Sequence, residues 1–299
     1  MAGEPLITRY KHLFPVLTRL ARGENVITEH NVYQEANLEL RKIVDEMLDE
    51  NLLPNSLLAG QENFKSFLEQ VKKGKRGLIL MEHYSNFDLP ALSYLLRKQG
   101  GKVGEEIAER LVAIAGMKLN EESAIISAWA EAFSRVVIYP SRSLAAIQDP
   151  EEREIEELRS KKINMASMRA MDKAKKEGKI ILVFPAGTRF RKNKPETKRG
   201  VREIDSYLRL SDIMLPVSIN GNCLRISDDN PSNMMMDEVC PDTVIFAAGP
   251  VIECKQFRKD IQEKLPEDLE DKKQPVVDEI MNILERQHNE YEIEREKLL

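Results

Sequence analysis

Cysteine is scarce in this chain: Cys223, Cys240 and Cys254 are an odd, scattered set with no close pair among 299 residues. That spacing argues against a disulfide framework and a zinc site, and fits a reducing compartment such as the cytoplasm. Histidine is little commoner, with four copies and no His/Cys grouping, so no metal site is expected. No apolar run approaches the ~20 residues needed to span a bilayer. Residues 1–8 include Glu4 and no basic stretch leading into a long apolar one, which argues against a secretory signal. The net charge of −5 makes nucleic acid an unexpected partner. A G-x-S-x-G elbow is missing, and no cysteine lies in a reactive setting, so no protein nucleophile is in view.

What is present suits a folded globular protein: 42% of residues are apolar and 32% charged. Residues 1–75 read as a small helical bundle domain. Val32, Tyr33, Ala36, Leu40, Ile43, Val44, Met47 and Leu48 recur at helical steps, and Phe64, Phe67, Leu68 and Val71 open a second amphipathic helix. Residues 76–299 alternate short apolar runs with longer helical stretches, which predicts an α/β fold, a central sheet flanked by helices. The predicted strands are Leu78–Met81, Val112–Ala115, Val136–Tyr139, Ile180–Phe184, Ile213–Ile219 and Val244–Ala247, with one long polar helix over Glu151–Glu177. A charged helical region with one apolar face (Val276, Val277, Ile280, Ile283, Leu284) follows Glu253.

Two segments carry chemistry. Met81-Glu82-His83-Tyr84-Ser85-Asn86-Phe87-Asp88 follows a predicted strand, which puts His83 at the carboxyl edge of the sheet, where open α/β sheets bind ligands. A loop folding back from Asp88 lets its carboxylate fix the imidazole tautomer, leaving the other nitrogen to take a proton from a hydroxyl. The bland reading is a helix cap beside a polar strand end. Ser85, two residues from His83, is poorly placed to be activated. His12, His30 and His288 fall in helical regions and suit surface or packing roles. The second segment, Phe184-Pro185-Ala186-Gly187-Thr188-Arg189-Phe190-Arg191, turns sharply out of a buried strand. Arg189 and Arg191, two apart, offer paired guanidinium donors to a phosphate, with Lys192 and Lys194 adding positive potential. Seven cations against one acid between Arg189 and Arg202 suggest an anionic ligand or an anionic membrane surface. Arg142, on the turn after Val136–Tyr139, is a third candidate for the anion. Leu215-Pro216-Val217 ends another strand and could line an acyl pocket.

His83-x-x-x-x-Asp88, Phe184-Pro185-x-Gly187-Thr188-Arg189 and Leu215-Pro216-Val217, in this order, resemble the glycerolipid acyltransferase superfamily, and most closely its soluble, plastid-type glycerol-3-phosphate acyltransferases. The resemblance implies transfer of a fatty acyl group from acyl carrier protein or acyl-CoA, as co-substrate and not cofactor, to the sn-1 hydroxyl of glycerol 3-phosphate. It makes His83 the base and Asp88 its orienting partner. Arg189, Arg191 and Arg142 would hold the phosphate, with Gly187, Thr188, Lys192 and Ser143 in support. Arg142 stands where that group has a lysine, and Ser143 where it has a histidine. Many relatives that acylate lysophosphatidate carry Glu at the position of Ala186, so its alanine favours glycerol 3-phosphate. The implied setting is the cytoplasm, with transient contact at a membrane surface. Lysophosphatidate as acceptor is the alternative, and a non-catalytic module binding acyl carrier protein or membranes is the rival of another class.

Overall fold

The structure, a computed structural model, describes residues 3–23, 26–121 and 124–299, with the side chains of 120 and 121 left aside. All six predicted strands are present, as Gly77–Met81, Leu111–Gly116, Arg135–Ile138, Ile180–Val183, Ile213–Asn220 and Ile245–Ala248. Among the described residues they join Tyr33–Gln34, Leu57–Ala59 and Ile252–Glu253 in one mixed sheet of nine strands. Four adjacent strands, Arg135–Ile138, Leu111–Gly116, Ile180–Val183 and Gly77–Met81, run parallel, and Ile213–Asn220 continues the run on the far side of Gly77–Met81. Ile245–Ala248 then pairs antiparallel with Ile213–Asn220. The chain is thus α/β with a mixed central sheet flanked by helices.

The parallel strands are buried on both faces because each face carries its own helices. Alternate residues of Gly77–Met81 divide between two cores. Ile79 and Met81 join the one formed with Leu40, Phe64, Phe67 and Leu92, whereas Leu78 and Leu80 join the one formed with Met171, Leu208, Ile280 and Leu284. Each such side chain contributes roughly 1.5–3 kcal/mol through burial. The second core is covered by the long helix Pro150–Lys176, which begins with Pro150 at its first position and the Asp149 carboxylate accepting from the Glu152 amide at 2.8 Å.

Residues 1–75 do not fold as the expected separate bundle. Their helices are there, Leu38–Asn51 and Gln61–Lys72 included, but Tyr33–Gln34 and Leu57–Ala59 are strands of the main sheet. Their apolar faces enter the same buried cluster as Ile79 and Leu92. The stripe on Leu38–Asn51 does pack on helices, but on Asp88–Gln99 and Ala124–Glu131 of the α/β part rather than within a separate bundle. Among the described residues no helix is long and apolar enough to cross a membrane.

Candidate active site

Gly77–Met81 and Ile180–Val183 are neighbours in parallel register, with Leu80 opposite Val183. The segments leaving them, Glu82–Phe87 and Phe184–Arg191, therefore emerge side by side at the carboxyl edge. Three contacts hold them together. The Phe190 amide donates to the His83 carbonyl at 2.8 Å. The His83 ring stacks on Phe184, with centroids 3.8 Å apart and planes 15° from parallel. The Tyr84 ring meets Phe190 edge-on at 5.9 Å.

Asp88 opens the helix Asp88–Gln99, where the helix dipole favours a carboxylate. Its Oδ2 lies 2.9 Å from His83 Nδ1 and accepts the backbone amides of Tyr84 at 2.6 Å and Ser85 at 2.8 Å. Helix-start and histidine-partner roles are thus filled by one side chain. An ionised Asp88 accepts only, so Nδ1 carries the proton and the lone pair is on Nε2. Asp88 is 4% exposed and His83 16%, so the carboxylate is sealed while the imidazole still has an open side. The pair can take a proton from a hydroxyl delivered to Nε2. Ser85 is buried and its hydroxyl accepts from the Phe87 amide, which occupies it structurally.

The basic turn is built on Gly187, whose φ of +64° lets the chain reverse after Pro185 and Ala186. The Gly187 amide donates to the Phe184 carbonyl at 2.9 Å and the Val201 amide to the Pro185 carbonyl at 2.9 Å, which ties down both ends of the loop. Arg189 and Arg191, expected as an equivalent pair, sit in different surroundings. Arg189 is buried, and its Nη1 donates to Asp237, itself fully buried. Arg191 is half-exposed on a short bridge to Lys194, its amide donating to Thr197 Oγ1 at 2.9 Å. Thr188 is half-buried and Lys192 exposed.

Arg142 stands apart. It is exposed on the short helix Ser141–Ala145, after a strand three places from Gly77–Met81, or about 14 Å across the sheet at the usual strand spacing. Ser143, half-buried, donates its amide to the Pro140 carbonyl. The Leu215-Pro216-Val217 run lies in the buried middle of Ile213–Asn220 and belongs to the core.

Sequence reasoning missed three groups here. Glu82, next to His83, is buried and accepts from Tyr84 OH at 2.8 Å and the Ile219 amide at 2.8 Å, with His288 Nδ1 at 2.9 Å. His288, expected in a surface or packing role, thereby reaches the sheet edge from the helix Gln274–Glu296. Asp237, fully buried, has Asn86 Nδ2 at 3.5 Å from the carboxylate oxygen that takes Arg189. The one available signal was a charged residue, Glu82, directly after a fully apolar strand. No motif spacing pointed to Asp237 or His288.

No curated protein matches the chain. The family model described as Acyltransferase matches residues 60–220, a span that holds the whole His83–Asp88 segment and the arginine turn. That match covers more than half the chain and includes both strands that bring the two segments together. The protein is an acyltransferase and belongs to the Acyltransferase family.

Proposed function

We propose that this acyltransferase moves a fatty acyl group from the thioester of acyl carrier protein or coenzyme A to the sn-1 hydroxyl of glycerol 3-phosphate, giving lysophosphatidate for phospholipid synthesis. The observation that carries the reading is the hydrogen bond that the Phe190 amide donates to the His83 carbonyl, because Phe190 lies between Arg189 and Arg191. A base and two guanidinium groups are thereby tied to one short stretch of backbone. This is the arrangement needed to hold a phosphate while a hydroxyl on the same small molecule is deprotonated.

In the proposed reaction His83 Nε2 takes the proton as the hydroxyl oxygen attacks the thioester carbonyl, and Asp88 stabilises the resulting imidazolium. The tetrahedral intermediate expels the thiolate, which takes the proton back from His83. The ester forms as the thioester breaks, and no acyl-enzyme is involved. Arg189 and Arg191 bind the phosphate bidentately, and fixing it places the hydroxyl, so much of the acceleration is positional. Arg142 and Ser143, with Lys192, supply the outer positive and polar surface that the acceptor crosses. Gly187 and Thr188 shape the turn. The acyl donor is a co-substrate, the reaction needs no cofactor, and its amphiphilic product calls for transient contact with a membrane surface from the cytoplasm.

The test is acyl transfer by purified protein offered palmitoyl thioester of either carrier with glycerol 3-phosphate or lysophosphatidate. Lysophosphatidate formed from glycerol 3-phosphate supports the reading. Turnover with lysophosphatidate alone moves the enzyme one acylation later and refutes the acceptor.

A further inference from the structure

Glu82 and His83 are consecutive, so in extended backbone their side chains leave on opposite sides. His83 goes to Asp88 and Phe184. Glu82 goes to the other side, where its carboxylate is saturated: the Ile219 amide, at 2.8 Å, and His288 Nδ1, at 2.9 Å, meet Oε2, and the Tyr84 hydroxyl, at 2.8 Å, meets Oε1. Only 4% of the Glu82 side chain is exposed, and a carboxylate buried that deeply needs such partners. Tyr84 completes a bracket around His83, because its amide donates to Asp88 while its hydroxyl donates to Glu82. Its ring meets Phe190, whose amide holds the His83 carbonyl. His288 is fixed in turn, since Asn220 Nδ2 donates to its carbonyl at 2.9 Å.

We infer that Glu82, Tyr84 and His288 are positioning residues: a brace on the opposite side of the strand end that keeps His83 aligned with Asp88, which fixes its tautomer, and sets its separation from the arginine turn. None of the three takes part in the proton transfer. The brace joins three elements at the sheet edge: the strand end at Met81, the turn around Phe190 and the helix Gln274–Glu296, which already packs on the sheet through Ile280 and Leu284. Burial opposes a charge on His288, but the Glu82 carboxylate outweighs it, and the imidazole pKa is raised above its ordinary value. Lys198 acts against that charge and Glu292 for it; burial, and then the Glu82 carboxylate beside it, pushes the Tyr84 hydroxyl up, and it stays a donor. The acid and both donors thus keep the protonation states that the three bonds need.

The inference rests on His83 being the base of the proposed reaction, and its test has a readout that does not. His288→Asn keeps a donor near the Nδ1 position, His288→Leu removes it, and Tyr84→Phe deletes only one hydroxyl. In nitrogen-15 imidazole spectra, His83 is expected as the single Nδ1–H tautomer in the wild type and in His288→Asn, and as a mixture in His288→Leu and Tyr84→Phe. With the acceptor that the wild type uses, turnover per folded molecule should fall about 10- to 100-fold in His288→Leu, the scale of a misplaced reacting group. His288→Asn should restore most of it, and the KM for the acyl thioester should not move. A spectrum of His83 unchanged in both His288→Leu and Tyr84→Phe, or kinetics unchanged while only the melting temperature drops, overturns the brace. Failure of the wild type to acylate any phosphate-bearing alcohol refutes the proposed reaction instead, and the imidazole spectra still decide whether the brace exists.

Discussion

Arg189 donates to Asp237 at a point where 7% of the arginine side chain and none of the aspartate is exposed. The guanidinium has five donors, and Asp237 takes one amino group, so the pair orients the fork without consuming it. Removing Asp237 leaves the Arg189 charge buried without its carboxylate. Asp237→Ala should therefore cost about 3–5 kcal/mol of unfolding free energy. Replacing both residues with apolar ones of similar size should recover part of that loss. Urea unfolding of the single and double variants measures both, and additive losses would contradict the pairing.

His83→Ala should lower turnover by at least the 10²–10⁴-fold that a positioned acid–base group contributes. Asp88→Asn should do nearly as much, because an amide no longer fixes Nδ1–H. Far-UV dichroism and melting should show His83→Ala folded. Retained activity in that variant would remove His83 from the reaction.

Six of the nine strands of the main sheet were legible in the sequence because each is a short apolar run, most of them closed by Gly or Pro. The helix Pro150–Lys176 was legible too, as one long polar stretch over Glu151–Glu177. The bundle over residues 1–75 was misread because an amphipathic stripe says that a helix is covered, not by what. Two- and three-residue strands such as Tyr33–Gln34 carry no periodicity to read. At the site, His83 and Asp88 could be paired because only four residues of loop separate them. Asp237 meets Arg189 across 48 residues and His288 meets Glu82 across 206, distances at which no local spacing rule operates.

Gly187→Ala tests the turn. At φ of +64° an alanine is strained, although the nearest atom to its added carbon, in Val201, is 3.6 Å away and would not clash. The expected loss is about 1–2 kcal/mol from backbone conformation. Thermal unfolding reads it, and an unchanged melting temperature would mean that the turn adopts another shape.

The raised pKa of His288 has a definite signature in stability. A proton held more tightly by the folded protein than by the unfolded chain stabilises the fold fully below the ordinary value of 6.5. That contribution fades as pH climbs through the raised folded value. The stability gap between wild type and His288→Asn should accordingly narrow from slightly acid to alkaline pH. A gap that widened in that direction would reverse the assigned sign.

Asp212 behaves oppositely. Hydrogen bonds from Arg76, whose Nε and Nη2 lie 3.1 and 2.9 Å away, push its carboxyl down to about 2 against an ordinary 3.8. Its contribution is present above 3.8 and disappears as pH falls toward 2. Asp212→Asn should therefore be less stable than wild type at neutral pH and indistinguishable near pH 2. Acid titration of both proteins by fluorescence would detect a persistent difference.

The bond from His288 to Glu82 also has a consequence in time. Glu82 leaves the ribosome 206 residues before the imidazole that it accepts from. At roughly 5–20 residues per second, that is a wait of some 10–40 s during synthesis. By the later part of that interval the nascent chain holds His83, Asp88 and both arginines without the helix that steadies them. Stalled chains ending before residue 288 should be cut by protease in the Glu82–Phe87 loop far faster than chains that include Gln274–Glu296. The brace around His83 is then complete only once the residues of Gln274–Glu296 have been made.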